Sequence, residues 1–159
     1  MACRTRLKGF LDREGISYLD IPHEVEYTSQ ETAEDTHTPG GKFAKTVVVR
    51  LVGQFALVVL PASRRLDLEK LKTALGVPSA ELATEDEMRQ IFPDSELGAE
   101  PPFGFLYGLP VVVTPDLAED GWITFNAGTH EDAIRMKYQD FARLVRPLIV
   151  RCAPEGRAP

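Results

Sequence analysis

A chain of 159 residues, 43% hydrophobic and 26% charged, has the length and balance of one soluble globular domain and is short for two. No apolar run reaches the about 18–20 residues that span a bilayer, and no apolar segment follows the basic start Met1-Ala2-Cys3-Arg4-Thr5-Arg6, so neither a membrane anchor nor a secretory leader is expected. A formal charge of −6 excludes the basic surface that broad, non-specific nucleic-acid binding requires, and no DNA partner is expected.

Leu7, Phe10 and Leu11 recur at helical spacing and Gly15 ends the segment. Residues 16–21 alternate as a half-buried strand does. Thr28-Ser29-Gln30-Glu31 is a capping box that opens a short helix ending before Pro39-Gly40-Gly41. Residues 45–51 and 55–60 are rich in valine and leucine and are joined through Val52-Gly53-Gln54, which predicts a buried hairpin. Asp67 caps a helix carrying Leu68, Leu71 and Leu75, closed by Gly76. Thr84-Glu85-Asp86-Glu87 caps another, which stops at Pro93, and the loop 94–104 follows. Residues 110–114 and 122–125 read as strands around a turn at 115–121. Residues 133–136 read as a further strand, and Asp140 as the cap of a last helix with Phe141, Leu144 and Val145. Short strands mixed with short helices predict an α+β domain over residues 1–150, with a curved, mostly antiparallel, barrel-like sheet and a flexible tail at 151–159.

Several chemistries are excluded. There is no phosphate-binding glycine loop of either common type and no G-x-S-x-G elbow. His23, His37 and His130 have no metal-ligand spacing, so neither a metal nor a cofactor is expected. Cys3 and Cys152 lie near opposite ends, match no disulfide framework, and fit free thiols in a reducing cytoplasm. Charge is uneven along the chain. Residues 81–100 hold seven acids against Arg89 alone, whereas residues 133–159 hold six bases against Asp140 and Glu155. That basic end is a candidate RNA contact or an ordinary solvated face.

Three segments carry chemistry. Lys45 interrupts the apolar stretch from Phe43 to Val49, either snorkelling to water or aiming an ammonium into a pocket, with Thr46 beside it. The loop Gly98-Ala99-Glu100-Pro101-Pro102-Phe103-Gly104 combines a permissive glycine with two fixed φ angles, so it can hold backbone N–H groups in place for a carbonyl or oxyanion, or simply turn the chain. Asn126, Gly128 and His130 end a strand where an imidazole can reach a pocket rim or brace a loop.

The order of these segments, from Ile21-Pro22-His23 through Lys45-Thr46 and the G-x-x-x-P loop at 98–102 to Asn126-Ala127-Gly128, resembles the YbaK/prolyl-tRNA-synthetase-associated editing domain family over nearly the whole chain. The resemblance implies a free-standing hydrolase of mischarged aminoacyl-tRNA, with tRNA-Pro the usual context and the 3′ CCA end and acceptor stem as the contacted regions. It implies that Lys45 holds the terminal phosphate or the reacting ester. It implies that residues 98–104 bind the carbonyl, that His130 touches substrate, and that the attacking water is oriented by a ribose hydroxyl. A synthetase partner, and a non-catalytic tRNA-end or synthetase-binding module, stay open as alternatives.

Overall fold

The computed structural model describes residues 2–22, 43–119 and 121–154. The capping box at Thr28, the short helix after it, and His23 and His37 lie outside the described residues.

Helix α1 (Cys3–Arg13) buries Leu7 and Leu11, one turn apart, and leads into β1 (Tyr18–Pro22). Strands β2 (Ala44–Leu51) and β3 (Gln54–Pro61) form the predicted hairpin, with Leu51 opposite Gln54 and Lys45 opposite Leu60. Helix α2 (Leu68–Leu75) is capped as expected, Asp67 Oδ1 accepting from the Lys70 N–H at 3.0 Å. Strand β4 (Ala80–Leu82) precedes α3 (Glu85–Ile91), where Thr84 and Glu87 exchange both capping-box bonds. After the loop come a 3-10 turn (Gly104–Tyr107), β5 (Val111–Val113), α4 (Pro115–Glu119) and β6 (Trp122–Asn126). Strand β7 (Asp132–Lys137), helix α5 (Tyr138–Val145) and β8 (Leu148–Ile149) complete the order.

The fold is α+β with a mixed sheet. One sheet runs β1-β7-β6, all antiparallel. The other runs β4-β2-β3-β5-β8, antiparallel as far as β3 and parallel beyond it. A parallel bridge between Phe43 and Thr124 joins them into one curved surface, but no closed barrel forms.

Strand alternation sorts the side chains into two layers. Ala44, Val48, Val59, Val113, Phe125 and Ile134 face one way, against Leu7 and Leu11 of α1, Phe141 of α5 and Phe103 of the loop. Val49, Val58, Leu60 and Val112 face the other way, against Leu71 of α2.

Two local expectations differ from the structure, and two short strands were not expected. The turn expected at 115–121 holds helix α4, because Pro115 at its first position costs no helical hydrogen bond. Helix α5 starts at Tyr138 with Lys137 as its cap residue, so Asp140 sits inside the first turn, where its charge still complements the helix dipole. Strands β4 and β8 are too short to show a period, and pairing with β2 and β5 fixes them. Cys152 is fully buried, and its carbonyl accepts the Asp67 N–H at 2.8 Å.

Candidate active site

The register brings Lys45 to one place with Asn126. Phe43 bridges Thr124 in parallel, so Lys45, two residues on, is level with Asn126 and on the same side of the sheet. Thr46 faces the opposite side, with Ala44 and Val48. Lys45 is half-buried, and among the described residues no carboxylate pairs with it. Burial lowers its pKa from the ordinary 10.5, and the neighbouring Arg65 charge lowers it further. Asn126 is 5% exposed and its Oδ1 has no partner among the described residues. Lys45 and Arg65 are thus neighbouring cations, and the buried Asn126 Oδ1, without a partner among the described residues, lies on the same side of the sheet two residues past the bridge.

The Gly98 loop closes on the end of β6 through backbone bonds. The Gly128 N–H donates to Ala99 O at 2.9 Å, and the Glu96 N–H donates to Gly128 O at 2.7 Å. His130 clamps the same loop from the other side. Its N–H donates to Glu96 Oε1 at 2.8 Å, and its Nε2 lies 2.9 Å from Leu97 O. A carbonyl only accepts, so Nε2 carries the proton, and Nδ1 is left buried without a partner among the described residues. His130 is therefore a brace for residues 96–98 in this structure.

Gly98 and Gly128 have φ of 88° and 96°, a region that side chains rarely adopt. A Cβ on Gly128 would also lie 2.7 Å from Cys3 Cβ, so the start of α1 packs directly under this strand end.

Glu100 is 3% exposed, and its Oε2 accepts the Gly98 N–H at 3.1 Å while Oε1 has no partner among the described residues. Burial raises its pKa above the usual 4.5, against the pull of its hydrogen bonds and His130. The Ala99 N–H donates to Glu96 O at 3.0 Å. Pro101 and Pro102 have no N–H, and Phe103 anchors the loop in the core with aromatic contacts to Phe125 and Phe141.

A raised carboxyl pKa has a definite sign. The folded state holds the Glu100 proton more tightly than the unfolded chain does. Its favourable contribution is complete below about pH 4.5 and is lost as pH rises through the folded-state pKa. Glu100→Gln keeps an acceptor for Gly98 without the buried charge. We expect it to raise Tm at neutral pH by a few degrees, about 2–4 °C per kcal/mol for a chain of this size. The advantage should vanish below about pH 4.5. Thermal melts of both proteins from pH 4 to 8 check this; a Tm difference independent of pH would contradict it.

Of the expected site residues, the fold joins Gly98 to Glu100 and Gly128 to Ala99 by direct bonds, ties His130 to the same loop through Glu96 and Leu97, and sets Lys45 and Asn126 on one side of the sheet. It turns Thr46 away from Lys45 and sinks Phe103 and Gly104 into the packing. Sequence reasoning missed two participants. Arg65 is near Lys45 only because β3 returns beside β2. Glu96 is one acid in an acidic run, and nothing local marks it as the clamp of His130. A separate cavity of about 230 Å³, lined by Arg64, Lys70, Thr114 and Arg151 among others, contains none of the expected residues.

A family model and a curated relative identify the family, and solved structures share the fold. The family model described as aminoacyl-tRNA editing domain matches residues 23–144. The chain is 31% identical over 150 residues to the multifunctional Ser/Thr-tRNA deacylase ProXp-y of Escherichia coli K12, covering 91% of this chain and 89% of that protein. It is 33% identical over 90 residues to a proline–tRNA ligase of Staphylococcus saprophyticus, covering 57% of this chain and 15% of the ligase. A solved structure provisionally described as a trans-editing enzyme for prolyl-tRNA synthetase superposes with a TM-score of 0.82 at 23% identity, over 98% of this chain and 99% of that one. The chain belongs to the aminoacyl-tRNA editing domain family, the family of hydrolases that its motifs resemble.

Proposed function

We propose that this chain is a trans-acting deacylase that hydrolyses the ester of a mischarged tRNA, tRNA-Pro bearing a small non-cognate amino acid. The observation that supports it most is Lys45: half-buried, beside a second cation, with no carboxylate partner among the described residues, and on the side of the sheet that carries Asn126, whose Oδ1 has no partner among them either. Burying an ammonium against another positive charge is costly unless an anion arrives. The phosphate on the 5′ side of the terminal adenosine supplies that anion, and the CCA end and acceptor stem supply the rest of the contact.

In this reading Lys45 holds the terminal phosphate or the ester, and the loop 98–104 receives the aminoacyl carbonyl. The carbonyl takes the place of Glu100 Oε2 at the Gly98 N–H. Water, oriented by a ribose hydroxyl, adds to the carbonyl carbon. The tetrahedral adduct then breaks its bond to the ribose oxygen, which takes up a proton. An aminoacyl ester is already activated, so positioning and oxyanion stabilisation suffice without a protein nucleophile. The action of ProXp-y on Ser- and Thr-tRNA supports hydroxyl-bearing amino acids as the first to try.

A deacylation panel tests this, using tRNA-Pro charged with serine, threonine, alanine, cysteine, 2-aminobutyrate or proline. Hydrolysis of one or a few wrong esters with Pro-tRNA spared is expected. Binding without hydrolysis of any ester would replace this reading with the non-catalytic module.

The same site fixes a pH dependence. If the Lys45 ammonium is the working form, activity falls on the alkaline side as it deprotonates, at a pH below the ordinary 10.5. Arg65→Gln removes one opposing charge and should move that limb to higher pH. Rate–pH profiles, corrected for spontaneous ester hydrolysis, check the shift; an unmoved or lowered limb would contradict it.

A further inference from the structure

Resting on the tRNA reading above, we propose that the cavity of about 230 Å³ at the carboxyl ends of β3, β5 and β8 is a phosphate-binding site for the tRNA strand that precedes the terminal adenosine, with Arg64, Lys70 and Arg151 as its cations.

Three strands end at this cavity. Strand β3 runs parallel to β5, and β5 parallel to β8. Arg64 lies beyond the end of β3, Thr114 beyond β5 and Arg151 beyond β8, while Lys70 comes from the first turn of α2. The crevice outside the carboxyl ends of parallel strands is where open sheets bind ligands. Its size suits a phosphate group, being below the about 300–1,000 Å³ of pockets that enclose a whole small molecule. Thr114 is the one buried residue of the lining, 1% exposed. Its carbonyl accepts the Ala118 N–H at 3.3 Å at the start of α4, and its Oγ1 has no partner among the described residues. A buried hydroxyl is costly while unpaired, and an oxyanion in the cavity can accept its hydrogen bond.

Charge selects an anion. The nearby acids are mostly engaged: Asp116 holds Arg64 at 2.8 Å, Asp67 accepts the Lys70 N–H as the cap of α2, and Glu69 pairs with Lys72 at 3.0 Å. Glu119, exposed at the end of α4, is the other acid of the lining. Lys70 and Arg151 have no carboxylate partner among the described residues. Lys70 also stands in the first turn of its helix, where the dipole disfavours a cation and favours an anion. Register then ties the cavity to the proposed reaction site. Lys45 is opposite Leu60, and Val59 is level with Val113, so Lys45, Leu60 and Thr114 form a row across β2, β3 and the end of β5. The row lies on the α2 side of the sheet, where Leu60 and Val112 pack with Leu71. Two strand spacings separate Lys45 from Thr114, about 10 Å, which a stacked strand rising about 3.4 Å per nucleotide covers in about three nucleotides. Leu60 is buried between them, so the connection runs over the exposed Arg65, which follows Arg64 in the chain and whose charge acts on Lys45.

The experiment compares wild type, Lys70→Gln, Arg151→Gln and the double variant. Both side chains are exposed, so the fold should hold, and melting curves check that it does. KM and kcat are measured on charged tRNA and on aminoacyl-adenosine, and binding of uncharged tRNA is followed against salt concentration. Each variant should raise KM on tRNA by about 2- to 5-fold, the scale of an exposed ion pair, with kcat unchanged, as the loss of uniform binding requires. Each should lower the salt slope of tRNA binding by about 0.7–0.9. The effect should be confined to tRNA, because aminoacyl-adenosine lacks the preceding phosphates. An unchanged KM and salt slope in the double variant would overturn the proposal. If inorganic phosphate then raises Tm of the wild type and not of the double variant, the cavity takes a free anion, and the tRNA assignment is overturned all the same. An equal rise of KM on aminoacyl-adenosine would also overturn it, by tracing the loss to the reaction site. Absence of hydrolysis by the wild type would overturn the deacylase reading instead, and the salt dependence of uncharged tRNA binding would still decide the cavity.

Discussion

Lys45→Ala is expected to lower kcat/KM for deacylation by about 10²- to 10³-fold, the cost of removing one preorganised charge or donor from a reaction site. Stability should change little. The side chain is half-buried, has no ion-pair partner among the described residues, and carries a charge that burial and Arg65 both disfavour. Lys45→Met separates charge from packing, because it retains an unbranched apolar stem of similar length. It should lose as much activity as the alanine variant while matching the wild-type melting curve. Deacylation kinetics with thermal melts check both; a methionine variant retaining most of the activity would show that the ammonium does no chemistry.

Gly104→Ala should be the most damaging small substitution at the loop. A Cβ there would stand 2.3 Å from the Leu109 carbonyl oxygen and 2.6 Å from Val111 Cγ2. The first of these is backbone and cannot rotate away. The Leu109 N–H also donates to Gly104 O at 2.9 Å, so the contact closes the 3-10 turn onto the chain entering β5. We expect a loss of about 3 kcal/mol, the upper end of ordinary overpacking, and a Tm fall of about 6–12 °C. Because Phe103 and the two prolines are tied to this turn, KM for charged tRNA should rise as well. Melts and steady-state kinetics check it; a Tm within about 2 °C of wild type would show that the turn yields freely.

Much of this fold was legible from the sequence where local chemistry decides structure. Asp67 and Thr84 cap their helices because the side chain bonding to the backbone is written within four residues. The hairpin of β2 and β3 follows from two valine-rich runs around a tight turn. The pairings of β4 and β8 were not legible, since strands of three and two residues carry no period and are defined by their neighbours.

The site divides in the same way. Gly98 and the proline pair announced a shaped loop. That Glu100 folds back onto Gly98, and that His130 braces the loop through Leu97, are long-range or buried arrangements with no sequence period. Whether Lys45 snorkels or points inward depends on Arg65 and Asn126. Only the return of β3 and the Phe43–Thr124 bridge bring those residues beside it.

The most direct test of the central claim is a crystal structure with a non-hydrolysable 3′-amide analogue of aminoacyl-adenosine 5′-phosphate. The account predicts the phosphate or the amide linkage within hydrogen-bond reach of Lys45 Nζ, and the aminoacyl carbonyl against residues 98–104 with the Gly98 N–H turned to it. An analogue bound away from Lys45, for instance in the cavity lined by Arg64, Lys70 and Arg151, would contradict it.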